Sequence, residues 1–123
     1  MSAVDTAKSE FWDIPHHKGV RAKLLMSGDE MTMIEVEFGP GSSGPEHVHS
    51  HEQIGFVLKG ELELRVDGRT YALKEGYSYW IPSNALHSMR GIGNGGVALE
   101  VFHPVRRDLL KRQFAQEIQR PAT

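Results

Sequence analysis

Between positions 32 and 38 the chain alternates, with Ile34, Val36 and Phe38 on one side of an extended backbone and Glu35 and Glu37 on the other. That is the pattern of a strand with one face in a core. The same period recurs over 61–66, where Leu62, Leu64 and Val66 alternate with Glu61, Glu63 and Arg65. Asp67-Gly68 then supplies two residues that tolerate positive φ, as a two-residue hairpin turn requires, and 71–73 returns as the partner strand. Further strands are expected at 20–26, 54–58, 77–81 and 97–102, with 13 glycines falling between the short apolar stretches. Seven or more such strands predict an all-β sandwich or small barrel. The period changes only at the end. Leu110, Phe114 and Ile118 recur every four residues, which predicts a helix over about 106–119, docked on the barrel or on a partner subunit.

Composition narrows the class. A chain of 123 residues, 39% hydrophobic and 24% charged, is the size of a single soluble domain, with the core barrel over about 20–105. No apolar run approaches the roughly 18 residues of a membrane helix, and positions 1–11 lack the basic start and apolar stretch of a secretory signal. A cytoplasmic location without a membrane partner is therefore expected. The net charge is −2 and the 14 basic residues are dispersed apart from Arg106-Arg107 and Lys111-Arg112. That leaves no broad footprint for nucleic acid, and a small molecule or protein is the expected partner. With no cysteine there is no disulfide, thiolate metal site or thiol nucleophile, so any metal must rest on nitrogen and oxygen.

Histidine is the residue that carries the chemistry. Three of the seven, His47, His49 and His51, stand two apart, and alternate residues of an extended chain share a face. His47 and His49 can thus offer two imidazoles to one metal, and Gln53, of the same parity, an amide oxygen. His87, after a Pro82-Ser-Asn84 turn, is the fourth candidate. His51 is given no ligand role, and His16, His17 and His103, beside Pro15 and Pro104, are read as ordinary loop residues. The His-x-His-x-Asp-His run of metallo-β-lactamase-type hydrolases is excluded, because position 52 is glutamate and that layered α/β fold needs a far longer chain.

Glycines frame these residues in two blocks. Gly41, His47, His49, Gln53 and Gly60 form one; Gly76, Pro82, Asn84 and His87 form the other, 15 residues further on. Together they resemble the two motifs of the cupin superfamily, over roughly residues 20–102. The resemblance implies an antiparallel jelly-roll barrel with a divalent transition metal (Ni, Zn, Fe, Mn or Cu) in its mouth, held by His47, His49, Gln53 and His87. Gln53 stands where glutamate is usual, Asn84 where glycine is usual and Gly91 where asparagine is usual. Gln53 leaves the full charge of the ion on the site and removes a carboxylate that could have acted as a base.

Gly19-Val-Arg21, the run from His49 to Glu61 and the run from Glu100 to Asp108 are similar to the small pectin-degradation cupins of the KdgF type. Those proteins convert ring-closed 4,5-unsaturated uronates to the linear keto form. The likeness implies a catalytic set of Glu100, Phe102 and Arg106; for a carboxylated substrate, Arg106 or Arg21 is the expected partner of the carboxylate. The acid in that group is usually aspartate; glutamate is one methylene longer and displaces the carboxyl by more than an ångström. Periodicity alone permits either face of the last strand to point inward, Val97, Leu99 and Val101 or Ala98, Glu100 and Phe102. The resemblance favours Glu100. A lyase or isomerase acting on a sugar acid is the leading expectation, with a metal-dependent dioxygenase and a non-catalytic metal- or ligand-binding module as alternatives. A homodimer is the expected assembly, since apolar residues on both faces of several strands exceed what one core can bury.

Overall fold

The computed structural model describes residues 3–109. Its strands are β1 (Trp12–Asp13), β2 (Lys18–Ser27), β3 (Thr32–Ser43), β4 (Glu52–Val66), β5 (Arg69–Lys74), β6 (Ser78–Ile81) and β7 (His87–His103). Every pairing is antiparallel, in the order β1-β2-β3-β7-β4-β5, and β6 pairs with the first half of β4. The all-β reading therefore holds, and Asp67 (φ 48°) and Gly68 (φ 83°) form the hairpin turn.

Two strands are longer than the apolar pattern suggests. The stretches expected separately at 54–58 and 61–66 are one strand, β4, whose register slips between Val57 and Lys59 and again between Gly60 and Leu62. Gly60 makes the bend possible: its φ is +75°, and a Cβ there would lie 2.1 Å from the carbonyl oxygen of Gly95. Such irregularities curve a sheet enough to close it into a barrel. β7 likewise begins ten residues before the apolar stretch that announced it, because the glycine-rich 91–96 pairs with β3 and β4 through its main chain.

Pairing also settles which way the end of β7 faces. Ile34 is opposite Glu100 and Val36 is opposite Ala98, and cross-strand partners share a face. Ile34 and Val36 are in the core, so Ala98, Glu100 and Phe102 point inward and are all buried, while Val97, Leu99 and Val101 are half-buried on the outside.

Of the helix expected over 106–119, only the start falls among the described residues; 110–119 lie outside them. The described part does not begin an α-helix at 106. The amide of Arg106 donates to Thr32 Oγ1 at 2.9 Å, Arg107–Leu109 form a single 3-10 turn, and Leu109 tucks into the core. No described helix is long and apolar enough to cross a membrane.

Candidate metal centre and its cavity

The segment joining β3 to β4 crosses the barrel mouth and is tied to β7 at one point. His47 and His87 form an isolated bridge, each amide donating to the other's carbonyl at 2.9 and 3.0 Å. A second main-chain bond, from Asn84 to the carbonyl of His49 at 2.9 Å, seats the other motif, with Asn84 in the left-handed region at φ 65°. Asparagine tolerates that conformation, so its replacement of glycine costs little.

This pinning brings three imidazoles together. The Nδ1 of His47, His49 and His87 lies 3.0, 2.9 and 2.9 Å from the carbonyls of Pro45, His51 and Ala85 respectively. A carbonyl only accepts, so each Nδ1 carries the hydrogen and each Nε2 keeps its lone pair. One ring nitrogen from each of the three lies within 4.8 Å of the others. Burial lowers the pKa of His49 and takes that of His87 down to about 4, so these two rings are held towards their neutral, metal-binding form. Three pre-oriented ring nitrogens converging on one point fit a divalent transition metal.

Gln53 is buried at the start of β4 and donates its Nε2 to Glu100 Oε2 at 2.5 Å. Its Oε1 is therefore the atom left for a metal. The same contact gives a reason for glutamine, since a glutamate here would set a second carboxylate against Glu100. Glu100 is 4% exposed, and Tyr79 donates its hydroxyl to the same Oε2 at 2.6 Å. Burial raises the carboxyl's pKa, opposed by the bonds from Tyr79 and Gln53 and by the charge of Arg106. Burial also pushes the Tyr79 hydroxyl well above its ordinary value, with Glu100 adding to the shift, so it remains a donor. Sequence reasoning missed Tyr79. Its only signals were its shared parity with Ile81 and a glycine, Gly55, in the neighbouring strand.

Phe102 packs edge-on to His49, with centroids 5.9 Å apart, and Arg106 lies 4.8 Å above the Phe102 ring. The Arg106 guanidinium is engaged by Asp108 through two bonds of 3.0 and 2.8 Å. Arg21 does not join the site: it has the parity opposite to Val20 and Ala22, points outward, and pairs with Glu37 at 2.6 Å. His17, read as an ordinary loop residue, instead lies on the cavity wall, edge-on to His47 at 5.4 Å. His51 is near His49 and holds it by a carbonyl, while His16 and His103 are exposed. The cavity holds about 300 Å³ and is lined by the imidazoles, Gln53, Glu100 and Arg106 together with apolar side chains such as Ile14, Val36 and Phe38.

An antiparallel barrel of this topology, with three histidines that could hold a metal ion, has the features of a small cupin, and comparison with known proteins agrees on the family. The cupin domain model matches residues 34–102, more than half of the chain, which belongs to the cupin superfamily. Within it, the chain is similar to pectin degradation protein KdgF of Dickeya dadantii (strain 3937), 32% identical over 93 residues, 75% of this chain and 84% of that protein. The solved structure of KdgF from Halomonas sp. superposes with a TM-score of 0.80, at 24% identity, covering 89% of this chain and 98% of the other. Quercetin 2,3-dioxygenase of Bacillus subtilis (strain 168) is 41% identical over 73 residues, 58% of this chain but only 21% of that enzyme.

Proposed function

We propose that this chain is a metal-dependent isomerase of small sugar acids that opens ring-closed 4,5-unsaturated uronates to the linear keto form. The observation that carries this reading is Glu100, a buried carboxyl held by two donors and lining the same cavity as the imidazoles. The similarity to a pectin degradation protein supports the substrate class, since pectin is built of uronic acids. His47, His49 and His87, with Gln53 Oε1, would hold one divalent transition metal, which when bound polarises substrate oxygens.

The reaction needs no oxidant. Opening the ring breaks the bond between the anomeric carbon and the ring oxygen. The anomeric hydroxyl loses its proton to become an aldehyde, and the enolate left behind takes one at carbon 4 to become a ketone. Glu100 is the group placed to deliver that second proton, and Phe102 walls the pocket beside it. Incubation with unsaturated uronate should abolish its ultraviolet absorbance without consuming oxygen. Oxygen uptake would make the chain a dioxygenase instead, and no turnover at all would leave it a binding module.

Arg106 is the cation available for the substrate carboxylate, and Asp108 is its competitor. An exposed pair of this kind is worth up to roughly 1 kcal/mol, so Asp108→Asn should lower KM for a carboxylated substrate by up to about fivefold. An unchanged KM would take Arg106 out of carboxylate recognition.

The outer sheet face supports a homodimer. Ile54 is opposite Val101 and Trp80, and Phe56 is opposite Leu99, so these side chains form one apolar patch across β6, β4 and β7. Ile54, Phe56 and Trp80 remain exposed in the single chain. A second copy is the occupant this reading assigns, and sedimentation at micromolar concentration should give twice the chain mass; a monomer would refute it.

A further inference from the structure

We infer that Tyr79 is a positioning residue for Glu100, seated across the missing side chain of Gly55, and that it fixes which carboxyl oxygen exchanges the proton. The consequence for catalysis rests on the isomerase reading; the geometry does not. β4 runs between β6 and β7, and Gly55 is the residue paired with Tyr79 on one side and with Glu100 on the other. Neighbouring strands are about 4.8 Å apart, so Tyr79 and Glu100 begin roughly 10 Å from each other and must meet over the row that Gly55 occupies. A side chain there would stand between them: a Cβ on Gly55 would lie 2.1 Å from Tyr79 Cζ and 2.3 Å from its hydroxyl oxygen. Gly55 has ordinary extended backbone, so close approach and not a special φ is what demands glycine.

The ring that fills this gap does not line the cavity. It acts on the substrate only through its hydroxyl, which donates to Glu100 Oε2 at 2.6 Å. Gln53 donates to the same oxygen. Two donors on Oε2 hold it as an acceptor. Oε1 receives no hydrogen bond among the described residues, so in the neutral acid the proton sits on Oε1. Tyr79 and Gly55 thus work as one unit: the first supplies the hydrogen bond and the second supplies the room for it.

Three variants test this, Tyr79→Phe, Gly55→Ala and the two combined. Tyr79→Phe keeps the buried ring and removes one oxygen, so folding is preserved. On the protein as purified, each single change should lower kcat by about 10- to 100-fold, the usual cost of losing an outer hydrogen-bond partner, with KM and metal content unchanged. The double variant should lose less than the product of the two single losses, because Gly55→Ala then has no hydroxyl left to displace, although its Cβ still meets Cζ and Cε2 of the phenylalanine ring. A parental kcat in Tyr79→Phe, or losses that multiply in the double variant, would overturn the inference. A second readout does not depend on turnover. In zinc-loaded protein carrying 13C-labelled glutamate, the Glu100 carboxyl resonance, assigned by its absence in Glu100→Gln, should move in the same direction in all three variants. If it moves while the parent fails to open unsaturated uronates, only the isomerase reading falls. If it stays still in Tyr79→Phe, the positioning role falls whatever the substrate is.

Discussion

His87→Ala is expected to reduce metal affinity by more than about 100-fold, exceeding the 10- to 100-fold typical of losing only an outer partner of a ligand. The parent should carry about one divalent ion per chain, as a cluster of three nitrogens with a fourth oxygen donor would bind. The variant isolates the ring from the fold. The bridge between His47 and His87 is made by main-chain atoms and survives the substitution, so the mouth keeps its shape while the buried nitrogen is removed. His49→Ala should behave alike. His51→Ala should not, because His51 holds His49 through a backbone carbonyl that alanine also has. Elemental analysis of the purified variants reads the result directly. Metal content equal to the parent in both His49→Ala and His87→Ala would show that the cluster is not the site.

Glu100→Gln should lower turnover of the unsaturated uronate by about 100- to 10,000-fold, the range general acid–base catalysis contributes, while fold and metal content stay parental. The glutamine can place its carbonyl oxygen where Oε2 now accepts from Gln53 and Tyr79, with its amide nitrogen in the place of Oε1. Shape is thereby kept, and only the exchangeable proton is lost. Glu100→Asp separates two effects. It installs the acid usual in the resembling group, but it draws the carboxyl back by about one carbon–carbon bond, roughly 1.5 Å. Bonds of 2.5 and 2.6 Å to Gln53 and Tyr79 do not survive a retreat of that size without movement of the partners. Aspartate is therefore expected to lower activity here, and higher activity would mean that the glutamate is poorly placed for uronates. Undiminished turnover of the true substrate by Glu100→Gln would remove the proton donor and leave a dioxygenase or binding module as the better account.

The departures from the usual motifs become intelligible once the contacts are known. Gln53 read as a lost base and a lost charge. In the folded chain it is also the donor that faces a buried carboxyl, a role glutamate could not fill without repulsion. In the sequence, Arg21 and Arg106 are both candidates to pair with the substrate carboxylate. Parity separates them, since Arg21 alternates with the buried Val20 and Ala22 and is turned outward to Glu37.

What the sequence by itself determined was the part written in local rules. The alternation of Ile34, Val36 and Phe38 marks one face of a strand, Asp67-Gly68 permits one kind of turn, and histidines two apart share a face, because each of these depends on neighbours along the chain. Only the tertiary structure decided the direction of Glu100. Both faces of its strand carry residues that can be buried, and the choice came from pairing with Ile34 in a strand far away in sequence. The partnership of Tyr79 with Glu100 lay further out of reach, because it depends on a space, the absent side chain of Gly55, on the strand that separates β6 from β7. Local pattern reports which side chains are present and how they alternate; a gap that lets two of them meet exists only when three strands lie side by side.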